Sequence, residues 1–255
     1  MSVRTLERTA LSRLKRILRT HDQSGPEVPL PLRTELFLIA HDDETGRPHL
    51  NERSLTLGLS AAVLLELWLA GRIHIGWRYD VRRGRWVVDP GLITVAKRDP
   101  IGDPLSDIVL AEIWNSGTPL RVGEFVRRYA ETVDFHERVR AHMVAAGVIR
   151  RTVQRRFWFF RTERYVPVET RESVRVRARV RRLVNRNRDD AASDDRHLAL
   201  AALVMALGLT RYLYPPEMSP AQLQQRLENL IAMRPDPTIR EAAAAINPKF
   251  VPAIQ

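Results

Sequence analysis

LTLGLSAAVLLELWLA, residues 55–70, is apolar on nearly every side of a helical projection and is followed at once by Gly71. A run this long without a polar stripe has no face to give to water, so it predicts a central helix that glycine stops. On its N-terminal side RTELFLIA, residues 33–40, is an apolar segment compatible with helix or strand. It runs into HDDETGRPHL, where the acids, Gly46 and Pro48 favour a turn. On its C-terminal side RIHIGWRYDVRRGRWVVD alternates apolar and polar residues about Arg83 and Gly84, which reads as a hairpin.

The same order of helix, glycine and hairpin recurs further on, as a pattern rather than as matching residues. Residues 121–146 read as helical, Gly147 stops them, and VIRRTVQRRFWFFRTERYVPV follows as alternating β-like segments. RESVRVRARVRRLVNRNR, residues 171–188, reads as a basic helix whose arginines face either water or an anion. An apolar helix is expected from about Arg196 to Leu213, then a break at YPPEMSP and two last helices in AQLQQRLENLIAM and IREAAAAI.

The first twenty residues space Val3, Leu6, Ala10, Leu14 and Ile17 by three or four, with Arg4, Arg8, Arg13, Lys15, Arg16 and Arg19 on the other faces. That is a basic amphipathic helix. The Gly and three Pro of HDQSGPEVPLP make residues 1–28 an extension and linker. The expected fold is therefore mainly α. It is a single helical globular domain over residues 29–255 with a helical-bundle core, one or two short β-hairpins and an N-terminal amphipathic helix.

Charge narrows the partners. Forty-one Lys and Arg against thirty Asp and Glu give +11, which favours an anionic partner such as acidic lipid or nucleic acid. There is no cysteine, hence no disulfide framework, thiolate zinc site or cysteine nucleophile. The N-terminus does not read as a secretory signal, and the longest apolar run, residues 198–209, is short of the ~20 residues a spanning helix needs. A cytoplasmic protein, peripheral to membranes, is the expectation.

Residues for catalysis are lacking. HExxH, GxxxxGK[ST] and GxSxG motifs do not occur, so no enzyme activity, cofactor or metal is expected. His41, Asp42, Asp43 and Glu44 come nearest to a reactive cluster, but adjacent acids before Thr45 and Gly46 read as a solvated turn. His136 and His142 lie six apart, a spacing that does not share a helix face.

LPLRTELFLIAHDDETGRPHL followed by LGLSAAVLLELWLAGRI, then MVAAGVI and DDRHLALAALVMALGL, resembles the Golgi phosphoprotein 3 family over about residues 30–250. The resemblance implies a mainly helical domain with a protruding hairpin, here residues 148–166. It implies peripheral membrane adaptors, whose eukaryotic members bind phosphatidylinositol 4-phosphate, help retain glycosyltransferases and make oligomer contacts through that hairpin. The family's headgroup Trp and Arg positions fall at Asn51 and Ser60, and its paired Arg positions at Val133 and His136. Only His136 retains a potential cation, and only when protonated.

The functional expectation is a non-enzymatic peripheral membrane adaptor, binding anionic and potentially phosphoinositide lipid and forming a homo-oligomer, with membrane-enzyme clients. Its anionic-surface residues would be the six N-terminal cations with Arg150, Arg151, Arg155 and Arg156. Its hairpin contacts would be Phe157, Trp158, Phe159 and Phe160, of which alternate pairs point to opposite faces of a strand. One pair would be core, and the other would either meet a partner or membrane or be covered within the chain itself. The less favoured alternative is nucleic-acid binding, because helix, helix and basic hairpin in residues 105–166 also read as a winged helix.

Overall fold

In the computed structural model, residues 29–132, 134–156, 160–185, 194–213 and 218–248 are described. The apolar run from Leu55 lies in α2 (Glu52–Leu69), preceded by α1 (Leu32–Ile39). Asn51 caps α2 by accepting a hydrogen bond from the Ser54 amide at 2.8 Å, satisfying one of the first-turn donors that a helix leaves open. From Leu55 to Leu67 the helix is buried almost continuously, as its lack of a polar stripe predicts. Each fully buried leucine there contributes about 1.5–3 kcal/mol over its exposed state.

After α2 come β1 (Ile73–Asp80), β2 (Arg85–Val95), α3 (Pro104–Asn115), β3 (Leu120–Arg121), α4 (Val122–Glu131) and α5 (Phe135–Ala145). Then follow β4 (Ile149–Arg156), β5 (Phe160–Pro167), α6 (Thr170–Arg182), α7 (Asp195–Ala206), α8 (Pro220–Ala232) and α9 (Thr238–Ile246), with short 3-10 turns at Leu183–Asn185 and Thr210–Leu213. Among the described residues one apolar cluster extends from Leu30 to Ala243. The mainly helical expectation holds, with two antiparallel sheets: β1-β2-β3 and β4-β5.

Three expected segments need revision. Residues 121–146 form two helices, because Thr132 adopts an extended backbone and its hydroxyl donates to the Arg128 carbonyl at 3.0 Å, competing with the helical pattern. The apolar helix expected to reach Leu213 ends at Ala206, with Gly208 at φ +68° beyond it. The basic helix ends at Arg182 rather than 188. The proposed N-terminal helix lies outside the described residues.

The sheets bear on the winged-helix alternative. The short strand β3 pairs with β2 through Leu92 opposite Arg121 and Ile93 opposite Leu120. It therefore completes the first sheet. Hairpin β4-β5, the would-be wing, pairs in register from Ile149 opposite Pro167 to Arg156 opposite Phe160 and, among the described residues, makes no pairing with β3, the strand that lies between α3 and α4.

α1 is the most enclosed element. All eight of its residues are buried, including Arg33 and Glu35. Arg33 reaches Glu66 on α2 at 2.6 Å and Asp103, the N-cap of α3, at 2.5 Å. Glu35 receives Arg179 of α6 at 2.6 Å and Arg196 of α7 at 3.1 Å. Two residues apart on one helix, they point toward different neighbours, so α1 is bolted from opposite sides. Burying these charges is tolerable only because each meets opposite charges at hydrogen-bonding distance.

Candidate functional site

Where α1 ends, the acid-rich segment 41–50 folds back against the base of the second hairpin. Asp42 accepts from both the Thr45 amide and the Thr45 hydroxyl at 2.7 Å, closing a side-chain-stabilised turn. Gly46 follows at φ +61°, and a Cβ there would stand 2.6 Å from the Tyr165 carbonyl and 2.9 Å from Val166. Only glycine lets the turn approach β5 so closely in that conformation. Arg177 of α6 fastens the other side, donating to Asp43 at 2.7 Å and to the Leu38 and His41 carbonyls at 3.1 and 3.2 Å.

Three histidines gather around this turn. His41 stacks on Phe37 with centroids 3.8 Å apart, and its Nδ1 lies 2.8 Å from the Phe37 carbonyl, to which the neutral Nδ1–H tautomer donates. Burial outweighs that carbonyl and pushes the imidazole down to about 4. His49 stacks on Tyr212 at 3.6 Å, and burial lowers its pKa as well. His136 of α5 lies 6.4 Å from Phe37, with Nδ1 3.3 Å from Glu52 at the start of α2. Burial and then the Arg140 charge lower its pKa, outweighing Glu52. The Nε2 atoms of His49 and His136 are buried without a hydrogen-bond partner among the described residues.

The cations nearby belong to the rim. The Arg140 guanidinium lies 4.7 Å over the Tyr165 ring, and that of Arg211 lies 4.8 Å over Tyr212. Both are cation-π arrangements. Arg47 and Arg53 are exposed, Arg53 facing Glu131 at 3.7 Å. The arrangement is thus a neutral, aromatic-backed histidine cluster surrounded by arginines.

Of the positions that the family resemblance selects, Asn51 is spent on capping. Ser60 is wholly buried with its hydroxyl on the Leu57 carbonyl at 2.9 Å, so it faces helix interior rather than a headgroup. Val133 lies outside the described residues. His136 is placed at the site, but buried and neutral at neutral pH. His142 meets a different neighbour, Asp103 at 3.6 Å, in keeping with its separation from His136.

Arg150 and Arg151 are exposed on β4, Arg151 pairing with Glu163 across the hairpin at 2.9 Å. Arg155, Arg156 and Phe160 are strand residues whose side chains are not described, and Phe157, Trp158 and Phe159 lie outside the described residues, as do Arg4, Arg8, Arg13, Lys15, Arg16 and Arg19. The basic helix uses several arginines inward: Arg177 and Arg179 hold Asp43 and Glu35, and Arg181 donates to the Leu213 carbonyl at 3.0 Å. Sequence inspection alone misses Tyr165, Tyr212 and Arg140. Their only signal is aromatic or cationic type, because the turn they pack around is distant in the chain.

No helix among the described residues is long and apolar enough to cross a membrane. The family model described as Golgi phosphoprotein 3 (GPP34) matches residues 32–247. No curated protein matches the chain.

Proposed function

Because the chain belongs to the Golgi phosphoprotein 3 family, we propose that it is a non-enzymatic adaptor that docks on the cytoplasmic surface of membranes rich in anionic lipid. It associates with further copies through the second hairpin and presents membrane enzymes as clients. The observation that carries this reading is the charge of +11 together with the exposed Arg150 and Arg151 on the hairpin that family members use for contact. Each arginine near an anionic leaflet adds about 1 kcal/mol, so a few acting together suffice for reversible attachment.

Diffuse charge, rather than a fitted phosphoinositide pocket, is the basis of attachment. His136 is neutral and beside Glu52, Ser60 is enclosed, and neither supplies the fixed cationic fork that binds phosphate in two places.

The test is co-sedimentation of the full chain with phosphatidylserine-containing vesicles and with phosphatidylcholine vesicles alone. Binding to the anionic vesicles at low salt, weakened at high salt and by Arg150→Glu with Arg151→Glu, is the expected result. No binding to anionic vesicles at low salt refutes the proposal. A parallel mobility-shift titration addresses the nucleic-acid alternative, which would show salt-sensitive retardation of DNA or RNA without vesicle binding.

A further inference from the structure

The first hairpin has a surface that the family position of the second does not explain. Its base is locked to the protein. Thr238 of α9 donates to the Ile75 carbonyl at 3.2 Å, Glu241 accepts from the Gly91 amide, and a Cβ on Gly76 would stand 2.8 Å from Glu241 and 2.9 Å from Pro237. At Gly76 the strand register breaks: Ile75 opposes Ile93, but Trp77 opposes Val88. Gly76 and Gly91 both take positive φ at this irregularity. Below the break Ile73, Ile75, Leu92 and Ile93 are core residues. Above it the hairpin leaves the core.

The outer part has two unlike faces. Trp77 opposes Val88 and Tyr79 opposes Trp86, so these four share a face. Trp86 sits edge-on to Tyr79 at 5.6 Å and to His74 at 4.9 Å. These contacts fix the rings without covering them: Tyr79 is 47%, Trp86 46% and Val88 61% exposed, and Val81 at the tip is 84% exposed. The opposite face and the turn are charged. Arg78 and Arg121 meet Asp89 at 3.4 and 3.1 Å, while Asp80 accepts from the Arg82 and Arg83 amides, and Arg85 is exposed. Residues 77–89 hold four arginines against two aspartates.

An ordered apolar face left in water marks a contact site. We propose that the first hairpin is a membrane-contact element of its own, laying Trp86, Tyr79 and Val88 at the headgroup level of an anionic bilayer with Val81 leading and Arg82 and Arg83 of the turn among the lipid phosphates. Indole and phenol rings suit that interface because one part of each is apolar and the other hydrogen-bonds. The excess of arginine complements an anionic leaflet and opposes docking against a second copy, which would bring like charges together. Val81 separates a bilayer from single-stranded nucleic acid: bases stack on Trp and Tyr, but an aliphatic residue at the leading point has its natural partner in acyl chains.

This inference rests on the membrane reading above, and the experiment distinguishes the two. The chain has no cysteine, so Val81→Cys and Gln224→Cys each place a single environment-sensitive fluorophore on the full-length protein. Gln224 lies exposed on α8 and serves as the remote reference. With phosphatidylcholine–phosphatidylserine vesicles the label at 81 should shift to the blue and be quenched by a quencher attached to lipid acyl chains, while the label at 224 stays aqueous. Tyr79→Ser with Trp86→Ser should weaken vesicle binding about tenfold with an unchanged circular dichroism spectrum. Vesicle binding with the label at 81 remaining aqueous overturns the inference and leaves the membrane reading standing. No vesicle binding overturns both. A blue shift with single-stranded nucleic acid but not with vesicles overturns the assigned partner.

Discussion

Arg33 and His41 are both buried basic side chains, one near the start of α1 and the other just past its end. Burial alone would lower the pKa of each. At Arg33 the carboxylates of Glu66 and Asp103 outweigh burial and raise it, so the charge is fixed. Against burial, Arg33 and the hydrogen bonds of Ser106 lower the Asp103 carboxyl, whereas at Glu66 burial outweighs Arg33 and raises it. At His41 the neighbours are the Phe37 ring and carbonyl, with His136, His49 and Arg140 as cationic or potentially cationic groups nearby, and the imidazole stays neutral. Comparable enclosure therefore gives a permanent ion at one end of α1 and a titratable group at the other. The deciding variable is the sign of the surrounding charge.

The strongest way to break this contrast is Arg33→Met. Glu66 and Asp103 would keep their enclosure and lose their cation, and removing one partner of a buried ionic cluster costs about 3–5 kcal/mol. Denaturant unfolding should show that loss as a reduced midpoint with the slope retained. Retention of wild-type stability would mean that the carboxylates find water or protons at little cost.

Titration probes the other end. His41 has a folded pKa of about 4 against 6.5 for the free side chain, so the unfolded chain binds more protons between those values. Stability is then complete above about pH 6.5 and falls as the pH drops toward about 4, by ~3 kcal/mol from this residue. His49 and His136 are shifted downward too and contribute with the same sign. Burial raises Glu35 and Glu66, which act with the opposite sign, so the His41 contribution is read as the difference in unfolding free energy between wild type and His41→Gln, which should shift against wild type as the pH falls across that range. Arg33 stays protonated throughout and adds no slope of its own.

Gly46→Ala is the mildest of these changes, at about 1–3 kcal/mol from its positive φ and the close Tyr165 carbonyl. Its value lies in selectivity. Hydrogen exchange should rise first in the turn and at the base of the second hairpin, while amides of α1 near Arg33 keep their protection.

What was legible in the chain follows the range of the interactions. α2 was legible because eighteen residues satisfy one another locally, and both hairpins because alternation and the turn at Gly84 are local signals. Arg33 and Glu35 were not. In RTELFLIA they resemble the polar positions of an ordinary amphipathic segment, yet their partners stand 33, 70, 144 and 161 positions away. The basic helix misleads for the same reason: its arginine excess suggests a face turned to water or to an anionic partner, but Arg177 and Arg179 answer acids on α1 and the following turn. At the candidate site, His136 could be singled out through the family resemblance. Its neutrality could not, since that depends on burial beside Phe37 and on the charge of Arg140.

The clamp between α9 and the first hairpin bears on how the molecule is made. Thr238 and Glu241 meet Ile75 and Gly91 across 163 and 150 positions of chain. During synthesis β1 and β2 leave the ribosome long before their anchor exists. The hairpin base and the flank of α2 that α9 covers must wait, uncapped, until residues 238–246 have been translated. A chain stopped before residue 238 would thus display apolar surface that α9 otherwise covers.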